Sequence, residues 1–238
     1  MASDFATALL KQIEARDFVP ISHYMAAVNH HYYYNKDPFG AAGDFTTAPE
    51  ISQIFGELIG LCLVDLWQRS EPQSQPYFVE LGPGRGTLAV DALRAMSKYG
   101  LVPPVHLVET SPCLRAVQAR HLPAANWHFT IDSLHQDRPL LLVANEFFDA
   151  LGVRQIVKAE QGWFERMVTV KNGALEPQLS GPDLSHLIPS HLLSAPVESV
   201  IESCPQAVAI VQNLSRRIAK QGGAMLIIDY GYVEGMQL

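Results

Sequence analysis

The sequence predicts an α/β fold: a Rossmann-like parallel sheet with an N-terminal helical cap and an inserted β-hairpin. Three observations lead there. Short, continuous apolar runs alternate with helix-compatible segments, as strands covered on both faces do. One run, Tyr77–Leu81, passes through Glu80 into Gly82-Pro83-Gly84-Arg85-Gly86-Thr87 and then into a helical pattern. Polar and mostly acidic residues stand at the ends of the runs, where open parallel sheets bind ligands.

Taken in order, Asp4–Arg16 and Ser22–His30 have helical patterns joined by a turn around Pro20. Thr47-Ala48-Pro49-Glu50 reads as a Thr-x-x-Glu capping box ahead of an apolar run from Ile51 to Leu66, which marks a helix start and a face packed on something large. These segments make residues 1–70 a helical cap, and the polar, proline-bearing stretch Ser70–Pro76 links it to a core over residues 71–238. Strands are expected at Tyr77–Leu81, Val105–Glu109, Trp127–Ile131, Leu140–Ala144 and Ala224–Asp229, with helices at Thr87–Tyr99 and Pro112–His121. An insertion at about 153–200 separates the last two strands. It begins as a hairpin, Arg154–Leu179, turned at Lys171-Asn172-Gly173, and leads through a loop to a helix near Pro196–Lys220.

With 238 residues, 48% of them hydrophobic, the chain can bury a sizeable core. A formal net charge of -7 with no dense basic run argues against a nucleic-acid backbone as partner. Cys62, Cys113 and Cys204 are far apart and form no C-x-x-C, which suggests neither a disulfide framework nor a zinc site and suits a reducing compartment. Met1–Lys11 has neither the basic and apolar regions of a secretory signal nor the character of a transit peptide. Bacterial cytoplasm is therefore expected ahead of mitochondrial matrix. Gln53, Glu57 and Asp65 interrupt the most apolar stretch, Ile51–Trp67, so a buried helix is expected there and no membrane span.

The glycine loop carries the chemistry. Glycines let a backbone turn sharply and let a ligand approach, while the helix after them offers free N–H groups. The dinucleotide fingerprint spaces its glycines as G-x-G-x-x-G, and phosphate loops need Gly-Lys-Ser/Thr; neither is present. Gly82, Gly84, Gly86 and Thr87 thus form the candidate cofactor loop, with Glu80 ending the first strand. Glu109, at the end of the second strand, suits two ribose hydroxyls, and Asp132, after the third, suits an adenine amino group. Glu109 would serve an NAD ribose too, although it lies farther from Gly82 than the roughly 20 residues of that fold. Asn145-Glu146 follows the fourth strand and Asp229 ends the fifth. Taken singly, each acid could be a solvated loop residue; their joint placement argues for a site.

The E-x-G-x-G-x-G form resembles motif I of S-adenosylmethionine (SAM) methyltransferases. Further blocks, Gly43–Gln53, Phe55–Gly60, Ala144–Leu151 and Ile227–Tyr232, together with Glu80–Leu88, resemble those of the MidA family, the NDUFAF-seven type of class I SAM-dependent methyltransferases tied to respiratory complex I assembly. The blocks occur in the family's order. The resemblance implies SAM as cofactor, a protein arginine as methyl acceptor and no metal. It makes Glu146 and Asp149, with Asn145 beside them, the catalytic candidates that orient a guanidinium, and it brings Asp44, Thr46 and Glu50 over the cofactor. For Thr47 and Glu50 a capping box already explains the residues, and a structural role stays open at the other end, with Asn145 and Glu146 capping the loop and Asp149 exposed. Phe147 and Phe148 are read as core in preference to a substrate channel. The run His30-His31-Tyr32-Tyr33-Tyr34 is read as neither metal-binding nor stacking.

Gly152 stands where the family commonly has proline. The family continues past Asp229-Tyr230-Gly231-Tyr232 whereas this sequence stops at Leu238, so the antiparallel hairpin that completes such a sheet is expected to be missing and the chain to be a fragment. A non-catalytic assembly factor that binds a partner protein, and a small-molecule methyltransferase, remain alternatives. Oligomeric state is not legible.

Overall fold

The computed structural model describes residues 2–35, 38, 46–70 and 74–231. The N-terminal elements are α1 (Ala2–Glu14), β1 (Phe18–Pro20), α2 (Ile21–Asn35), α3 (Ala48–Ile51) and α4 (Gln53–Arg69). After them come β2 (Tyr77–Leu81), α5 (Thr87–Ser97), β3 (Val105–Val108), α6 (Pro112–His121), β4 (Asn126–His128), a 3-10 turn (Ile131–Ser133) and β5 (Leu140–Asn145). The remainder contains β6 (Arg154–Ala159), β7 (Gly162–Lys171), β8 (Ala174–Ser180), β9 (Val200–Ser203), α7 (Pro205–Gln221) and β10 (Gly223–Ile228). The chain divides into two compact units, residues 32–149 with 209–238 and residues 1–31 with 150–208.

The first of these units is built on a parallel sheet in the order β10-β5-β2-β3-β4. Side chains of β2 alternate between its faces. Phe78, with Leu107, Leu141 and Val143, meets Leu63, Val64 and Trp67 of α4 and Leu88, Ala92 and Met96 of α5. Tyr77, Val79 and Leu81 face the other way, with Leu140, Leu142 and Ala144, toward Leu214 and the half-buried Ile210 and Ile218 of α7. Two covered faces explain why these strands read as unbroken apolar runs.

α4 approaches α5 through Gly56 and Gly60, one turn apart. A Cβ on Gly56 would lie 2.7 Å from the Asp91 Cβ, and one on Gly60 would run into the Ala92 backbone. Arg94 of α5 ties the pair, reaching Glu57 at 3.1 Å and Asp91 at 2.7 Å. The apolar run expected to pack as one face is therefore split. The glycine side is buried, while Ile54 and Leu58 on the opposite side are exposed. The expected capping box does not form: Thr47 precedes α3 without a side-chain bond, and Ser52 caps α4 by accepting from the Ile54 N–H at 3.3 Å. The Glu50 carboxylate is engaged with the glycine loop instead.

On the α7 side of the sheet, Tyr77, His106 and His128 pack ring against ring. Tyr77 and His106 centroids are 4.4 Å apart, and His106 Nδ1 lies 2.9 Å from His128 Nε2. Burial, aided by the neighbouring histidines, lowers His106 to about 4 and also lowers His128.

In the other unit an antiparallel sheet runs β1-β7-β6-β9, with β8 beside β7. The β7–β8 hairpin turns at Asn172 (φ 52°) and Gly173 (φ 78°), a pair suited to the left-handed values that a tight hairpin needs. Arg154 grips Glu165 across β6 and β7 with two bonds of 2.8 and 2.7 Å. Leu9 and Ile13 of α1 bury against Val19 and Val168. Three strands were not expected from sequence: the stretch read as one hairpin forms the three strands β6, β7 and β8, and β1 and β9 are additional. β1 is three residues ending in proline, and β9 lies inside the stretch assigned to the last helix, which begins only at Pro205. Because β1 pairs with β7, residues 1–31 join residues 150–208, a division unlike a cap ending at residue 70.

Gly60→Val should cost about 1–3 kcal/mol by overpacking, read as a lower urea midpoint. Lowered histidine values mean that the unfolded chain takes up protons the folded one refuses. Stability should be full above pH 6.5 and fall as pH drops toward 4, His106 alone accounting for up to about 3 kcal/mol. Thermal melts at pH 7.5 and 5 of the wild type and His106→Phe would show it, the variant losing less.

Candidate functional site

Every strand of the sheet β10-β5-β2-β3-β4 runs the same way, with Leu81 opposite Val108 and Ala144, and Ile228 opposite Asn145. Glu80, Glu109, Asp132, Asn145-Glu146 and Asp229 are thereby delivered to one end of the sheet. The glycine loop leaves the central strand there. Gly82 N–H still bonds the Val108 carbonyl at 3.0 Å, and then Gly82, Gly84 and Gly86 take φ of 58°, 53° and 83°. These are left-handed values that glycine adopts without penalty. Gly86 caps α5 and Thr87 is its first residue. A Cβ on Gly82 would lie 2.9 Å from the Phe147 ring.

Glu80 sits beneath this loop and is only 3% exposed. One carboxylate oxygen faces the Ala89 N–H; Oε2 has no partner among the described residues. Burial, opposed by the Ala89 bond and reinforced by Glu109, pushes its pKa up to about 8. A buried oxygen left unbonded costs stability, and a donor brought by a ligand would relieve it.

Glu109 is held at both oxygens: Ser111 N–H donates at 2.8 Å and Gln118 Nε2 at 3.3 Å. Burial raises its pKa against those bonds. Gln118, absent from the sequence-based site, connects the parts. Its Nε2 also donates to the Gly84 carbonyl at 2.7 Å, and its Oε1 accepts from Trp127 Nε1 at 2.8 Å. It is a fully buried amide on a helix whose other buried residue is Leu114; that polarity on the inner face of α6 was the available signal. Arg115 donates to the Glu109 carbonyl through Nε at 2.7 Å and stacks over Phe129. Asp132 is exposed in its 3-10 turn and accepts from Asn213 Nδ2 at 3.4 Å.

Glu50 reaches the loop directly. Its Oε1 accepts from the Thr87 hydroxyl and its Oε2 lies 3.5 Å from Arg85. Glu50 is thus a clasp on the glycine loop and not the capping-box residue that was one of its two sequence readings. Thr46 is an exposed coil residue, and Asp44, like Tyr232, lies outside the described residues.

After β5 the chain turns sharply at Glu146, which has φ 50° and donates its N–H to the Ile228 carbonyl at 2.8 Å. Asp229 holds the next residues of this turn. Its Oδ2 accepts from the N–H groups of Phe148 and Asp149 at 3.1 and 3.2 Å, and its Oδ1 from Tyr230 N–H at 2.8 Å. The Tyr230 hydroxyl bonds Glu146 and its pKa is raised, first by that charge. Burial first, then Asp149 and Glu146, raises Tyr33 as well. Phe147 and Phe148 pack half-buried against the sheet. The His30–Tyr34 run therefore contributes Tyr33 to an acidic field, a placement the sequence did not reveal. His31 stacks on Phe5 with centroids 3.8 Å apart. Among the described residues no cluster of His, Cys, Asp or Glu has a metal-binding arrangement.

The glycine loop, the orphaned acid and the row of carboxylates stand together at the carboxyl ends of the strands. A family model described as "Putative S-adenosyl-L-methionine-dependent methyltransferase" matches residues 58–237. The chain belongs to this methyltransferase family. Its cofactor class is SAM, and the orphaned Glu80 oxygen and open glycine loop fit such a ligand.

Among relatives, the protein arginine methyltransferase NDUFAF7, mitochondrial, of Xenopus tropicalis is 33% identical over 94% of this chain and 60% of that protein. The Homo sapiens protein of that name is 34% identical over 94% of this chain and 58% of its own length. A crystal structure of a "likely methyl transferase from Burkholderia thailandensis bound to S-adenosyl-homocysteine" superposes with a TM-score of 0.81 at 27% identity, covering 97% of this chain and 63% of that one. The chain thus spans about 60% of the relatives it matches. Those curated relatives are mitochondrial by name, which overturns the expectation of a bacterial cytoplasm. The composition of Met1–Lys11 carries no weight in a chain that covers only part of its relatives. No helix among the described residues is long and apolar enough to cross a membrane.

Glu80→Gln gives the sharpest expectation. A raised acid contributes favourably only at low pH and loses that contribution as pH rises through about 8. The neutral variant should therefore gain about 1–3 kcal/mol without ligand, the margin widening from pH 5 to 8, while its affinity for S-adenosylhomocysteine falls tenfold or more. Urea titrations and calorimetry measure the two halves.

Proposed function

We propose that this chain binds SAM at the carboxyl ends of its parallel strands and methylates an arginine side chain of a protein, a respiratory complex I subunit or similar partner. The observation that carries the reading is the arrangement around the glycine loop: an orphaned buried acid beneath it and further carboxylates at the strand ends beside it. In this reading Gly82, Gly84, Gly86 and Thr87 pass the cofactor, Glu80 faces its charge, Glu109 takes the ribose, and Asp132 the adenine amino group. Thr46 stands over it in this reading.

Glu146 and Asp149 bind the acceptor. A guanidinium is planar and always charged, and its fork of donors pairs well with carboxylates. Asp229 fixes the loop that carries them through the Phe148 and Asp149 N–H groups, and Asn145 anchors it at the end of β5. Bound SAM supplies a methyl group on a sulfonium, an electrophile whose leaving group is a neutral thioether. The protein's task is alignment: Glu146 and Asp149 would hold the guanidinium so that one of its nitrogens faces the methyl group the cofactor would supply. Transfer would leave one proton to be removed from the methylated nitrogen, and in this reading Glu146 would accept it. The names of the NDUFAF7 relatives support arginine as the acceptor.

Calorimetric titration with S-adenosylhomocysteine, with NAD as control, should show saturable binding of the former alone. Gly84→Val should abolish it. Retained affinity in that folded variant would refute the placement of the cofactor. Glu146→Gln should keep cofactor affinity within about threefold but lower transfer to an arginine-bearing protein by about 100-fold or more, measured with radiolabelled SAM.

A further inference from the structure

The turn that carries Asp132 is held from beneath by a buried polar chain. His106 Nδ1 lies 2.9 Å from His128 Nε2, and His128 Nδ1 lies 2.9 Å from Ser133 Oγ. The Ser133 hydroxyl is 2.9 Å from the Thr130 carbonyl. One proton assignment uses every contact: Ser133 donates to Thr130, His128 donates from Nδ1 to Ser133, and His106 donates from Nδ1 to His128 Nε2. Both rings are at least nine-tenths buried, whereas Asp132, next to Ser133, is exposed. From α7, Arg217 holds the same turn by donating to the carbonyls of Ile131 at 3.1 Å, Leu134 at 3.3 Å and His135. The backbone on both sides of Asp132 is thus fixed, and its own carboxylate is left with one long contact to Asn213.

We infer that His128 is a positioning residue for base recognition: held by His106, it fixes Ser133 and so presents the Asp132 carboxylate to the 6-amino group of the cofactor's purine. The inference rests on the proposed role of Asp132. Tyr77 and His135 pack with the two histidines, so this corner of an otherwise largely apolar face is built from polar rings. A chain of hydrogen bonds that runs from two buried imidazoles to the Ser133 hydroxyl fixes direction, which an apolar side chain cannot do.

The test compares S-adenosylhomocysteine with its 6-deamino (purine riboside) analogue, by calorimetry on the whole chain. A carboxylate bonded to the amino group should give the wild type at least a tenfold preference for the adenosyl ligand, and Asp132→Ala should erase it. His128→Phe and Ser133→Ala should shrink the preference to threefold or less while leaving affinity for the deamino analogue unchanged. His128→Asn, which can still donate to Ser133, should keep most of it. General loosening of the fold would weaken both ligands alike. Ser133→Ala serves if His128→Phe does not fold. An undiminished preference in Ser133→Ala or His128→Phe, with Asp132→Ala lacking it, would overturn the relay but keep the role of Asp132. A preference that survives Asp132→Ala would overturn both, and failure of either ligand to bind the wild type would overturn the cofactor reading itself.

Discussion

Everything at the candidate site depends on the common direction of five strands. Parallel pairing of β2 with β3 and β5, and of β5 with β10, sends each carboxyl end to the same edge. Residues far apart in the chain, Glu80 and Asp229 among them, then face one space without any specific contact having to gather them. Parallel pairing in turn requires crossovers; here α5, α6 and α7 lie in three of them and put apolar side chains on the sheet faces, while β4 passes to β5 through the 3-10 turn. The glycine pair in α4 belongs to this constraint. Without Gly56 and Gly60 the helix could not lie close enough to α5, the helix that starts at the loop.

At the site, stability yields to binding. A carboxylate buried with one oxygen unbonded is unfavourable in isolation, and so is a non-glycine residue in the left-handed region, as Glu146 is. Both lie at strand ends beside the loop. The neighbouring groups are by contrast fully bonded: Gln118 uses both of its N–H bonds and its oxygen, and Asp229 uses both oxygens. Rigid, satisfied residues thus surround a few unsatisfied ones, which concentrates the capacity to bind on those few.

The sheet and its acids were legible because parallel strands buried on two faces leave unmistakable apolar runs, and because glycine spacing is itself a chemical signature. Strand limits came within a few residues; β4 ended sooner than expected, at His128, since the chain turns to make the 3-10 segment. What sequence hid was side-chain partnership across long separations. Glu50 had a complete local explanation in its capping box, and only the fold shows that it bonds Thr87, 37 residues away. Tyr33 lay in a run that offered a metal or stacking motif and nothing else. β1 was invisible because three residues ending in proline carry no periodicity; their partner in β7 makes them a strand.

That partnership has a consequence in time. Thr169 donates its hydroxyl to the Asp17 carbonyl, 152 positions earlier, and β1 pairs along the same stretch. During synthesis, α1 and β1 leave the ribosome long before β7 exists. At about 5–20 residues per second the wait is on the order of ten seconds. Over that interval Leu9, Ile13 and Val19 have no partner in β7, whereas β2, α5, β3 and α6 can begin to pair with one another as they emerge. Order of synthesis and order of contact are therefore opposed for this segment: Leu9, Ile13 and Val19 precede the strand that covers them, and a chaperone that binds nascent chains would have those apolar side chains to shield.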